Sequence, residues 1–153
     1  MSFKKELYEA ISARITNDAE LETLLGVGFS LDFETVPPNA SWPFLVAKIS
    51  SRPLSVNHVF MRDAKLFIDL WHRSDTGNPD HERVIDVVDR LERLFNGKMV
   101  RCPSGNARFY FEDDFPVPVQ VNGPHVEHEL NRHAIIFSLR NVDGSLIEAY
   151  LDA

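Results

Sequence analysis

The sequence predicts an α+β fold, a mostly antiparallel sheet with helices packed on one face. Three observations lead there. Residues 64–71 alternate strictly, with Ala64, Leu66, Ile68 and Leu70 on one side and Lys65, Phe67, Asp69 and Trp71 on the other. A period of two residues is that of a strand. Val84, Val87, Val88, Leu91, Leu94 and Phe95 then recur at helical spacing, and Ile85 widens the stripe. More alternating stretches follow, and the order helices, strands, long helix, strands favours an antiparallel sheet over repeated βαβ units. With 153 residues, 44% of them apolar, the chain reads as one domain over 1–153 able to bury a core without disulfides or metals.

The elements take their places in order. Phe3, Leu7, Ile11 and Ile15 form one helical stripe. Asn17 or Asp18 caps a second short helix carrying Leu21, Leu24 and Leu25, which ends near Gly26. Phe29 to Glu34 alternates as a strand. Prolines at 37 and 38 stiffen the loop that follows, because each fixes its own φ. Phe44 to Ser50 reads as a strand, and Val56 to Phe60 as a short strand in a hairpin with 64–71. Asn78 and Pro79 suit the N-cap and first position of the long helix, and Asn96-Gly97 its end. Asp86 with Arg90, and Asp89 with Arg93, are spaced for ion pairs along its outer face. Lys98 to Cys102, Ala107 to Asp113 and Arg132 to Val142 are strands. Pro116 and Pro118 belong to an edge or an extended arm, since proline cannot donate to a central ladder. A mobile loop is expected at 115–130. Residues 145–153 are either a last strand or a terminal arm.

Charge and cysteine content exclude several classes. There are 16 basic and 23 acidic residues, a formal net charge of −7, which disfavours sequence-independent nucleic-acid binding over most of the surface. Cys102 is the single cysteine, so no intrachain disulfide forms. No long apolar stretch follows Met1-Ser2-Phe3-Lys4-Lys5-Glu6. Neither a signal peptide nor a membrane span is expected, and a reducing cytoplasm is the expected place of folding.

Candidate chemistry is thin. His125, His128 and His133 flank Glu127 and Glu129, and both residue types ligate divalent metals. Their spacing fits no closed metal site, and a solvated polar loop explains them. Asp69, His72, Ser74 and Asp75 hold the residue types of a hydrolytic triad, but no nucleophile elbow accompanies them. Cys102 lies near Lys98 and Arg101, which would activate a thiolate, although a small buried hydrophobe is the simpler reading. Gly26-Val27-Gly28 lacks the third glycine and preceding strand of a dinucleotide site. No catalytic residue, metal site or cofactor is therefore assigned. The notable feature is the side of the sheet that the helices do not need. Phe67 and Trp71 lie there beside Lys65 and Asp69, with Trp42, Tyr110 and Phe115 in or beside loops and edges. Such a face is covered either by the chain itself or by another subunit, and these seven residues are the candidate interface.

The run Trp42-Pro43-Phe44-Leu45-Val46-Ala47-Lys48-Ile49-Ser50, the run Ala64-Lys65-Leu66-Phe67-Ile68-Asp69-Leu70-Trp71-His72-Arg73, and the helix with Val84, Val88, Leu91 and Leu94 follow two N-terminal helices. From Phe3 to Phe95 this order resembles the tail-completion or tail-terminator proteins of long-tailed bacteriophages and prophages. The stretch 115–130 and the C-terminal arm have no counterpart in that pattern. The resemblance implies a homo-oligomeric ring, usually a hexamer, at the head-proximal end of the tail tube. It would end tube polymerisation, with the tube protein and the head connector as partners, the virion as location and no membrane. Genome DNA would pass through its lumen without sequence-specific binding, which acidic lumen residues would favour. A head-closure or neck protein is the alternative within the same class, and a small metal-dependent enzyme using His125 to His133 is the alternative outside it.

Overall fold

The computed structural model describes residues 3–35, 42–53, 62–74, 81–103, 105–118 and 129–141. Helix α1 (Phe3–Thr16) and helix α2 (Ala19–Leu25) lead into strand β1 (Leu31–Phe33) and strand β2 (Phe44–Pro53). Strand β3 (Arg62–Ser74), helix α3 (His81–Phe95), and strands β4 (Met99–Cys102), β5 (Gly105–Val117) and β6 (Glu129–Asn141) follow. The strands form one sheet in the order β1-β2-β3-β6-β5-β4. Among the described strands β1 and β2 pair in parallel and the other strand pairings are antiparallel. The α+β class read from the sequence is therefore what the chain adopts.

The core lies between the sheet and all three helices. Strand β3 sends Leu66, Ile68 and Leu70 into it, each fully buried. Strand β2 adds Leu45, Ala47 and Ile49, and strand β6 adds Ile135, Phe137 and Leu139. Leu7, Ile11 and Ile15 of α1 and Val84, Val87, Val88, Leu91 and Phe95 of α3 meet them. Each such side chain contributes about 1.5–3 kcal/mol by leaving water. Phe95 sits at the centre, its ring centroid 5.3 Å from Phe109 and 5.7 Å from Phe137. Ile85 is the exception to the predicted stripe. It is 58% exposed, because it lies one residue beyond the arc that faces the sheet.

Two polar contacts fix the helices. Asp18 is the N-cap of α2, and its Oδ2 accepts the Leu21 backbone N–H at 2.9 Å. The same oxygen accepts from Arg90 Nε of α3 at 2.9 Å, and Glu20 lies 3.5 Å from that guanidinium. Arg90 thus turns to α2 instead of pairing along its own helix with Asp86. Tyr8 does similar service for α1. Strand β1 stops at Phe33, so the Ile49 N–H of β2 has no strand beside it. The Tyr8 hydroxyl accepts that N–H at 2.9 Å and donates to Glu34 at 3.0 Å.

Several sequence expectations shift. The strand expected over Phe29 to Glu34 shortens to Leu31–Phe33, and Glu34 leaves it with φ 69°. The loop expected at 115–130 loses both ends. Residues 115–117 belong to β5 and residues 129–130 to β6, because the two strands pair from Phe111↔Phe137 out to Val117↔Arg132. Pro116 fits there because β4 pairs with β5 only over Gly105 to Arg108, leaving the far half of β5 as an edge. The expected strand at 56–60, the cap at Asn78-Pro79 and the arm at 145–153 lie outside the described residues.

The Arg90 guanidinium, and then the Leu21 N–H, hold the Asp18 carboxyl below the usual carboxylate range, against the opposing effect of burial. A group lowered in this way stabilises the fold above its unfolded pKa and loses that contribution as pH falls through the folded value. Asp18→Asn should therefore cost about 1–2 kcal/mol at pH 7. The gap between wild type and variant should narrow below about pH 4. Urea denaturation of both proteins across pH 2.5–7 checks this.

Candidate assembly interface

No described helix packs on the second face of the sheet, and its composition follows from strand pairing. Partners across a ladder point to the same side. Phe44, Trp71, Arg132 and Val117 form one row across β2, β3, β6 and β5. Val46, Asp69, Ala134 and Phe115 form the next, and Lys48, Phe67, Ile136 and Asp113 the third. Ser50, Lys65, Ser138 and Tyr110 form the fourth, with Arg140 and Arg108 beyond it and Arg73 beyond Trp71 at the other end.

A bulge decides its outline. Tyr110 and Phe115 are an odd number of residues apart, so an unbroken strand would put them on opposite faces. The register shift between Phe111 and Asp113 inserts one residue and returns both to the second face. Tyr110 is 38% exposed and Phe115 41% exposed.

Aromatic and cationic side chains interlock across this face. Trp42 packs edge-on against Phe44 at 4.8 Å, and Phe44 stacks with Trp71 at 6.2 Å and 8°. Arg73 lies 4.4 Å over the Trp42 ring, Arg132 5.6 Å over Trp71, and Arg140 5.5 Å over Tyr110. Each stack is worth about 0.5–1 kcal/mol where exposed. Arg132 also donates to Asp69 at 2.7 Å, and Lys65 to Glu112 at 3.0 Å. The structure thus brings together all seven residues singled out from the sequence. Trp42, Phe67 and Trp71 are half-buried among their neighbours, and Tyr110 and Phe115 stand out. Arg73, Arg132 and Arg140 went unnoticed in the sequence. Their signal was parity, since Arg73 shares a face with Trp71 and Arg140 shares one with Arg132.

The chemical alternatives fare differently. Asp69 and His72 project from opposite faces of β3, so they cannot form a triad. Ser74's side chain and Asp75 lie outside what is described, as do His125 and His128. His133 is in β6, with Nε2 2.7 Å from Asp114 Oδ2. Among the described residues no group of three or more His, Cys, Asp or Glu side chains is placed to hold a metal. Cys102 packs against the core, and burial, followed by the nearby Glu6 charge, pushes its thiol up. That is the reverse of activation by Lys98 and Arg101. No described helix is long and apolar enough to cross a membrane.

No family model and no curated protein match the chain. Solved chains share its fold. One belongs to the virion of a native gene transfer agent particle, with 13% identity over 92% of this chain and 94% of that one, at a TM-score of 0.56. Another is 14% identical over 94% of this chain and 97% of its own, at a TM-score of 0.63.

The Trp71 indole Nε1 is buried with no hydrogen-bond partner among the described residues. Trp71→Phe keeps the stack on Phe44 and removes that donor, so it should change stability by less than about 1 kcal/mol in either direction. Trp71→Ala empties the row and should cost about 3 kcal/mol or more. Thermal melts of the two variants against wild type measure the difference.

Proposed function

We propose that this protein is a structural virion protein that forms a ring at the head-proximal end of a phage-type tail tube, where it ends tube polymerisation and joins tail to head connector. The observation that carries the reading is the second sheet face, which no described helix covers and which presents the exposed Tyr110 and Phe115 together with the Trp42–Phe44–Trp71 stack. Exposed aromatics of this kind mark protein contact surfaces. A fold shared over nearly the whole chain with a component of a gene transfer agent virion supports the same class. The sequence resemblance to tail terminators supplies the finer role. A ring needs two different complementary patches on each subunit, and the aromatic face serves as one of them. The formal charge of −7 suits a lumen through which DNA moves without sticking. A head-closure protein would carry the same kind of surface and differ in binding the connector without the tube.

The purified protein should form rings, alone at high concentration or on tail-tube protein, visible by negative-stain microscopy and light scattering. Combining Tyr110→Glu with Phe115→Glu should abolish rings and leave the circular dichroism spectrum and thermal midpoint near wild type, since both side chains are exposed. A wild-type monomer that binds neither tube nor connector would defeat the assignment. Binding to the connector alone would shift it to head closure.

A further inference from the structure

The fold carries a second surface that matches the first in charge. Helices α2 and α3 leave a groove of about 360 Å³ on the side of the helix layer away from the sheet. Ala19, Thr23 and Leu24 line one wall, and Asp86, Asp89 and Arg93 the other. The groove continues past Leu24 to Glu82 and Arg83. Its charges are unbalanced. Arg90 is neutralised by Asp18, which leaves Glu20, Glu82, Asp86 and Asp89 facing Arg83 and Arg93. On α3, Ile85 stands three residues after Glu82 and four before Asp89, one turn from each of these lining residues, and is 58% exposed.

The second sheet face is unbalanced the other way. Lys65 is neutralised by Glu112 and Arg132 by Asp69. Lys48, Arg73, Arg108 and Arg140 remain, against Asp32 and Asp113. This cationic surplus, on a chain that is acidic overall, shares a face with the two exposed aromatics, and Arg140 lies over Tyr110 itself.

We propose that the sheet face of one copy docks on the α2–α3 groove of a second copy, with Phe115 or Tyr110 against Leu24 and Ile85 and the basic rim against Asp86 and Asp89. The contact is head-to-tail, since the two patches are different surfaces on opposite sides of one subunit. Repetition of such a contact closes into a ring or continues as a filament. Opposite charges select this pairing and raise its rate of formation, and like-charged pairings of sheet on sheet or groove on groove are penalised. The inference rests on the ring reading and adds the second patch and the partner to it.

Charge reversal tests it on the whole chain. Lys48→Glu with Arg140→Glu alters the sheet rim, and Asp86→Lys with Asp89→Lys alters the groove. All four positions are exposed, and thermal melts confirm that each variant folds. Each pair of changes should raise the protein concentration needed for half-assembly by about tenfold or more, which corresponds to about 1.4 kcal/mol. The chain carrying all four changes should return to within a few fold of wild type, as should an equimolar mixture of the two variants. Wild-type assembly should weaken as salt is raised. Variants that assemble like wild type, or a four-change chain as defective as either pair, would overturn the docking and leave the ring reading standing. A wild type that never assembles, even on tube protein, would remove both.

Discussion

Everything in this molecule hangs on the alternation of strand β3. The strand lies between β2 and β6, and its pairing fixes the register of both neighbours over ten or more residues. Leu66, Ile68 and Leu70 must leave water, so that face of the sheet has to be covered by helices. A period of two then sends Lys65, Phe67, Asp69 and Trp71 to the other side. A one-residue slip would bury Lys65 and Asp69 without the ion pairs they now make, and expose the aliphatics. The core therefore sets the composition of the surface opposite it.

The division of labour between the two faces follows. On the helix side the contacts are apolar and tightly packed, with Phe95 in ring contact with both Phe109 and Phe137. Polar groups appear there at the ends of elements, as with Asp18 and Tyr8, where backbone N–H groups need acceptors. On the other side, cations lie over aromatic rings and carboxylates pair with lysine and arginine. Such a surface tolerates water.

Much of this was legible in the sequence, and the reason is local. The helix stripes, the cap at Asp18, the stop at Gly97 and the strand alternation are properties of residues a few positions apart. The aromatic face was legible for the same reason, since parity along β3 is fixed wherever the strand pairs. Misreadings arose where a distant partner intervened. Arg90 has an acid four residues before it, yet Asp18 of another helix offers a buried, doubly bonded site and wins. Residues 115–117 look like loop because of Pro116, yet β6 pairs with them and leaves the proline's other side as an edge.

The sequence by itself determined the fold class, the core face and the existence of a surplus aromatic face, because hydrophobic periodicity is enough to specify each. Tertiary structure decided what that face contains. The bulge after Phe111 brings Tyr110 and Phe115 to one side, and pairing of β6 with β3 lays Arg132 over Trp71. The approach of α2 to α3 opens an acidic groove on the far side. Register and helix docking are non-local choices, settled by the total burial and hydrogen bonding of the assembled chain, and no short stretch of residues records them.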